Sequence, residues 1–171
     1  MKPHLGEESS FLWNIMAVIQ SRQSMKTPDL LSNLEEFFKV SAEVFGIETA
    51  FLYGSQAGGF PRIDSDVDIA IVFSEPQLSD EDVFRRITDI SWLLLKEVKI
   101  DVNVIPIYAD FREPMLYYNA IVLGKPIFLK DFNKYVNLKN EAIHQMEDFN
   151  IFGRDWRLAV ARKNLEELKR A

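Results

Sequence analysis

Gly54 and Ser55 close an apolar run, ten residues follow, and Asp66 and Asp68 open the next apolar run, so that residues 51–68 read FLYGSQAGGFPRIDSDVD. Two carboxylates two positions apart on a strand point to the same side, because side chains alternate, and their Cα atoms lie about 6.5 to 7 Å apart. Such a pair can hold one or two divalent cations. Gly54 has no side chain to keep a phosphate off the backbone, and Ser55 offers its hydroxyl and N–H to phosphate oxygens. A phosphate cradle beside a metal cradle points to nucleotide chemistry.

An Asp-x-Asp by itself belongs more often to a solvated turn than to a metal site. Three features coincide in this chain. The pair starts a strand whose other face is apolar, it follows Gly-Ser by ten residues, and Asp101 recurs on the polar side of a third apolar run. Together they favour a carboxylate metal site made of Asp66, Asp68 and Asp101. His4 and His144 are isolated and read as non-ligands. Trp13, Trp92 and Trp156 fit apolar helix faces, which favours core packing over base stacking, and burial is the expected role of Tyr117 and Tyr118.

The elements that must position these groups follow from periodicity and caps. Residues 10–22 have helical apolar spacing. Thr27 caps a second helix with Pro28 at its first position, buried along Leu30, Leu31, Leu34, Phe37, Phe38 and Val44 and stopped by Gly46. Residues 47–53 and 66–73 read as strands, with Val67, Ile69, Ile71 and Phe73 on one face and Asp66, Asp68, Ala70 and Val72 on the other. That alternation directs the carboxylates toward a surface.

Ser79 with Asp80, Glu81 and Asp82 marks the capped, acidic start of a helix that runs to about Glu97. Residues 98–106 read as a third strand, with Lys99, Asp101 and Asn103 on its polar face. A helix from Pro114 to Gly124 follows, then a short extended piece over 126–129. Two helical segments, 132–149 and 153–170, complete the chain. The expected class is α/β (α+β): a short mixed β-sheet backed by helices, as one domain over 1–171 with a core at about 28–130 and helical extensions at 1–27 and 131–171.

Composition narrows the options. A net charge of −6 argues against generic binding to nucleic acid, which requires a basic surface. No cysteine is present, so disulfides, thiolate metal sites and thiol nucleophiles are excluded. The first apolar run is broken by Asn14, is too short to span a bilayer and lacks a small-residue cleavage site, so a cytoplasmic protein without membrane attachment is expected.

The stretch GSQAGGFPRIDSDVD resembles the Gly-Ser, ten residues, Asp-x-Asp signature of the minimal nucleotidyltransferases, within the DNA polymerase beta-like nucleotidyltransferase superfamily. The resemblance covers about residues 30–130, and IVLGKPIFL at 121–129 is similar to the end of such domains. It implies that Gly54 and Ser55 hold the β and γ phosphates of ATP or another nucleoside triphosphate. Asp66 and Asp68 would coordinate two Mg2+ ions, with Mn2+ as the alternative. Asp101 would be the third carboxylate and would accept the proton of the attacking hydroxyl. Many members carry a basic residue soon after the Gly-Ser; here Gln56, Ala57, Gly58 and Gly59 stand there, and Arg62 in the same loop is the candidate for the missing charge.

The activity implied is transfer of a nucleotidyl group, most often adenylyl, to an acceptor hydroxyl. The frequent partner of such proteins in bacteria and archaea is a helical HEPN-type protein, the two behaving as antitoxin and toxin. A catalytically silent nucleotide- or partner-binding module, and a small-molecule enzyme similar to the aminoglycoside nucleotidyltransferases, are the alternatives. The terminal helices would shape the acceptor side or form an interface, with a partner or with a second copy in a homo-oligomer.

Overall fold

The computed structural model describes residues 30–58, 65–75 and 77–170. The expected helix at 10–22, the cap at Thr27, and Arg62 lie outside those residues. Helix α1 (Leu30–Phe45) buries Leu34, Phe37, Phe38, Ala42 and Phe45 at three- and four-residue intervals. Strand β1 (Ile47–Tyr53) follows, buried along its whole length. A short helical turn, α2 (Gly54–Gly58), leads toward β2 (Val67–Phe73).

Helix α3 (Asp80–Val98) starts at Ser79, whose Oγ accepts from the Asp82 backbone N–H at 3.1 Å. It crosses over to β3 (Val102–Pro106), which runs parallel to β2. Helix α4 (Pro114–Tyr118) continues into a π-helical turn over Asn119–Leu123, then β4 (Lys125–Leu129) and α5 (Phe132–Arg170). The sheet order is β3-β2-β1-β4, with β1 antiparallel to both β2 and β4. The expected short mixed sheet backed by helices is therefore present.

Helices cover both faces of that sheet. On one side α1 and α3 pack Phe38, Ile90 and Leu94 against Leu52, Val67, Ile69 and Ile71. On the other, Phe51, Tyr53 and Ala70 meet Phe111, Tyr117, Ala120, Ile121 and Ala142. The first three turns of α5 thus belong to the second core through Tyr135, Leu138 and Ala142. Fully burying one large aliphatic or aromatic side chain contributes about 1.5 to 3 kcal/mol, which is why β1 and β2 carry so few polar residues along their middles.

Three sequence expectations are corrected. The face that carries Asp66 and Asp68 is not open along its length, since Ala70 in its middle is fully buried. The third strand starts at Val102 rather than at 98. Helix α3 keeps Val98 because that side chain packs against the first core, and Lys99 ends the helix in the left-handed region at φ 57°. Lys99 is therefore not on the strand face with Asp101. The two C-terminal helices are one, α5, of 39 residues. An internal glycine costs a helix only about 1 kcal/mol, and Gly153 alone does not interrupt it. No helix among the described residues is long and apolar enough to cross a membrane.

Candidate active site

Asp68 occupies the centre of a three-strand row. The β1–β2 register sets Tyr53 opposite it on one side, and the β2–β3 register sets Asn103 opposite it on the other. Directly paired residues share a face, and Asn103 Nδ2 donates to Asp68 Oδ1 at 3.3 Å. Asp68 is half-buried, while Asp66 and Asp101, each one residue before its strand, are exposed. The Val67 N–H donates to the Asp101 carbonyl at 2.8 Å, so the entries of β2 and β3 are tied side by side.

Gly54 begins the turn after β1 with φ +72°. A Cβ at this position would collide with Asp68 Oδ2 and stand 3.2 Å from its Cγ. Glycine is needed here for both its backbone conformation and its missing side chain. The turn it opens is anchored at Ala57, which is buried in the first core, and by Gln56 Nε2, which donates to the Ser65 carbonyl at 3.2 Å. Ser55 is exposed on that turn. The sequence thus brings Gly54, Ser55, Asp66, Asp68 and Asp101 to one end of the sheet.

Among the described residues, no group of three or more His, Asp or Glu side chains is arranged to hold one metal ion. The three aspartates share an end of the sheet without converging on a point. Their chemistry nevertheless suits a hard cation. Mg2+ binds through one or two carboxylates and completes its shell with waters and substrate phosphates, so it does not need an all-protein cage. Asp66, exposed, and Asp68, half-buried, supply such a pair at one end of the sheet.

Tyr53, Gln56, Asn103 and Glu113 are site neighbours to which the sequence by itself assigned no role. Asn103 had a signal: Asp101-Val102-Asn103 repeats the alternation of Asp66-Val67-Asp68 on the adjacent strand. The Tyr53 phenol is pushed from 10.0 up to about 12, first by burial and then by the negative charges of Asp68 and Glu113. It is therefore uncharged at neutral pH. A raised phenol pKa contributes stability that is complete below pH 10 and is lost as pH rises toward 12. The denaturation midpoint is expected to fall over that window in the wild type and to fall less in Tyr53→Phe. In Asp68→Asn the Tyr53 absorbance titration should move to lower pH; an unmoved titration would separate the two side chains.

The other aromatic expectations divide. Tyr117 is buried and Tyr118 half-buried. Trp92 and Trp156 are exposed rather than in the core, the first with Lys96 Nζ 3.3 Å from its ring centroid. Among the described residues, the α5 side chains of the buried clusters end at Ala142, well before Trp156.

A glycine turn pressed against a strand-borne aspartate, in a four-stranded mixed sheet between helices, defines a nucleotidyltransferase fold. The family model described as polymerase beta, nucleotidyltransferase matches residues 32–133, more than half of the chain, and the chain belongs to this family. Solved structures share the fold. One is a toxin-antitoxin with AMP-PNP, 15% identical over 74% of this chain and 97% of that chain, with a TM-score of 0.59. A second is a tri-AMPylated Shewanella oneidensis HEPN toxin in complex with MNT antitoxin, 13% identical over 76% and 98%, TM-score 0.56. A third is an MntA-HepT toxin-antitoxin, 14% identical over 75% and 96%, TM-score 0.54. No curated protein sequence matches the chain significantly.

Proposed function

We propose that this protein transfers an adenylyl group from ATP to a hydroxyl on a HEPN-like helical partner, from a single domain whose catalytic core spans about residues 28–130. The observation that carries this reading is the close approach of Gly54 to the Asp68 carboxylate, which sets the turn that would bind phosphate beside one of the two carboxylates. Ser55 would donate its hydroxyl and N–H to the triphosphate, and Arg62 would add positive charge from the loop. Asp66 and Asp68, with Asp101 beside them, would hold Mg2+. When bound, the metal supplies charge neutralisation for the triphosphate and lowers the pKa of an attacking hydroxyl.

In the transfer, the acceptor oxygen bonds to the α-phosphorus as the bond from that phosphorus to the bridging oxygen breaks. Pyrophosphate leaves and carries its electron pair. Asp101 takes the hydroxyl proton. Asn103 holds Asp68 through its side-chain amide, and neutral Tyr53 closes the inner wall without adding a charge.

The partner surface in this reading is the C-terminal half of α5. Phe149, Phe152, Trp156 and Val160 are exposed there at spacings of three and four residues, which puts them in one stripe along the helix. Such a stripe suits a helical partner, and solved complexes of this fold contain a HEPN toxin with an MNT antitoxin. The test is incubation with α-labelled ATP, Mg2+ and a co-expressed HEPN partner. Label on the partner with stoichiometric pyrophosphate is expected. Stable association with no ATP binding by the folded protein would replace this reading with that of a silent binding module.

A further inference from the structure

At the opposite end of the sheet a cleft of about 450 Å³ is lined by Glu48, Ser74, Lys134 and Glu141 over an apolar wall that includes Val72, Phe111 and Leu138. It lies five residues along β1 from Tyr53, about 16 Å at the rise of an extended strand. Among the described residues, Glu48 Oε1 and Ser74 Oγ are the buried side-chain polar atoms that make no hydrogen bond, and both line this cleft. A buried polar atom without a hydrogen bond is costly; Ser74 Oγ has no partner, and Glu48 Oε1 has only the Lys134 ammonium beside it.

The backbone directs Glu48 here. In the β1–β2 ladder Ile47 pairs with Phe73 and Thr49 with Val72, so Glu48 is the extra residue of a bulge. Bulges re-aim a side chain out of the strand alternation. The Glu48 carbonyl accepts from the Lys130 N–H at 3.0 Å, which fixes its backbone while the carboxylate lines the cleft. Glu48 is only 6% exposed. Lys134 Nζ lies 3.1 Å from Glu48 Oε1, an ion-pair distance without hydrogen-bond geometry, and its side chain is 63% exposed. Such a lysine can swing into solvent, but the buried Glu48 carboxylate then needs another cation in its place. With Glu48 and Glu141 against Lys134, the lining carries one net negative charge.

We propose that this cleft binds a small organic cation, a primary ammonium on an apolar body. The ammonium would donate to Glu48 Oε1 in place of Lys134, Ser74 Oγ would accept a second N–H, and the body would lie on Val72, Phe111 and Leu138. The volume falls in the range of about 300 to 1,000 Å³ usual for small-ligand sites. The site is separate from the carboxylates of the candidate active site and independent of the function proposed above.

The test is amide-resolved NMR titration of the full chain with phenethylammonium and butylammonium, using 2-phenylethanol and phenylacetate as neutral and anionic comparators. Saturable shifts at the amides of Glu48, Ser74 and Leu138 are expected for the ammonium ions, with both comparators at least tenfold weaker. Glu48→Gln should weaken ammonium binding at least tenfold. Lys134→Ala, at an exposed position that leaves the core intact, should tighten it severalfold by removing the competing cation. The proposal is overturned if neither ammonium binds saturably, if the alcohol binds equally well, or if Lys134→Ala leaves the affinity unchanged; a structural water alone would give the first of these results.

Discussion

Changing Asp66 and Asp68 together to asparagine is expected to abolish nucleotidyl transfer, lowering it at least about 10³-fold, while the protein keeps its fold. Removing a single preorganised transition-state donor typically costs about 10² to 10³ in rate, and this variant removes both charges of the proposed metal-binding pair. The fold should tolerate the change because Asp66 is exposed and Asp68 half-buried at the open end of the sheet. The side chain at 68 also keeps an oxygen to accept from Asn103 Nδ2. Labelled transfer to a HEPN partner reads the activity, and calorimetric titration with ATP in Mg2+ reads the binding. Chelation of Mg2+ from the wild type should reproduce the transfer defect. Undiminished, chelator-resistant transfer by the double variant would remove these carboxylates from the chemistry.

Gly54→Val is expected to lose transfer at least about 100-fold and also to destabilise the protein by roughly 2 kcal/mol, combining the left-handed penalty with displacement of a neighbour. The backbone at φ +72° disfavours any residue with a Cβ. The new Cβ must also displace the Asp68 carboxylate, one of the proposed metal-binding pair. The separating control is Gly58→Ala, at a glycine in the same turn where an added Cβ meets nothing within 4 Å. That variant should retain activity, and its melting temperature should change by no more than a degree or two. Equal activity of Gly54→Val and wild type would show that the turn does not position Asp68.

Both predictions concern residues whose type was conspicuous before any fold was known, but whose reason changed once the fold was seen. Gly54 read as a place where phosphate could approach the backbone. In the structure the space beside it is taken first by the Asp68 carboxylate. Asp101 read as a polar-face residue in the middle of a strand. It lies instead one residue before β3, with its carbonyl receiving the Val67 N–H. Trp156 fitted an apolar helix face, but it is exposed, and among the described residues the α5 side chains of the buried clusters end at Ala142.

Strand β1, the capped start of α3, the turn residue Gly54 and the Asp-x-Asp spacing were legible in the sequence because each depends on interactions within a few residues. Alternation, capping and turn conformation are set by neighbours along the chain. The family relation was legible for the same reason, since it rests on one contiguous stretch. What required the tertiary structure were contacts between segments distant in sequence. Val98 went to the helix because the first core had room for it there, and the polar-looking face of β2 closed over at Ala70 because α4 and α5 fold back across it. The row Tyr53, Asp68, Asn103 joins three strands. The cleft around Glu48 and Ser74 joins a bulge in β1 to the start of α5. Register between strands and the fit of helices on a sheet are decided by the burial of many side chains at once, and no local pattern carries that sum.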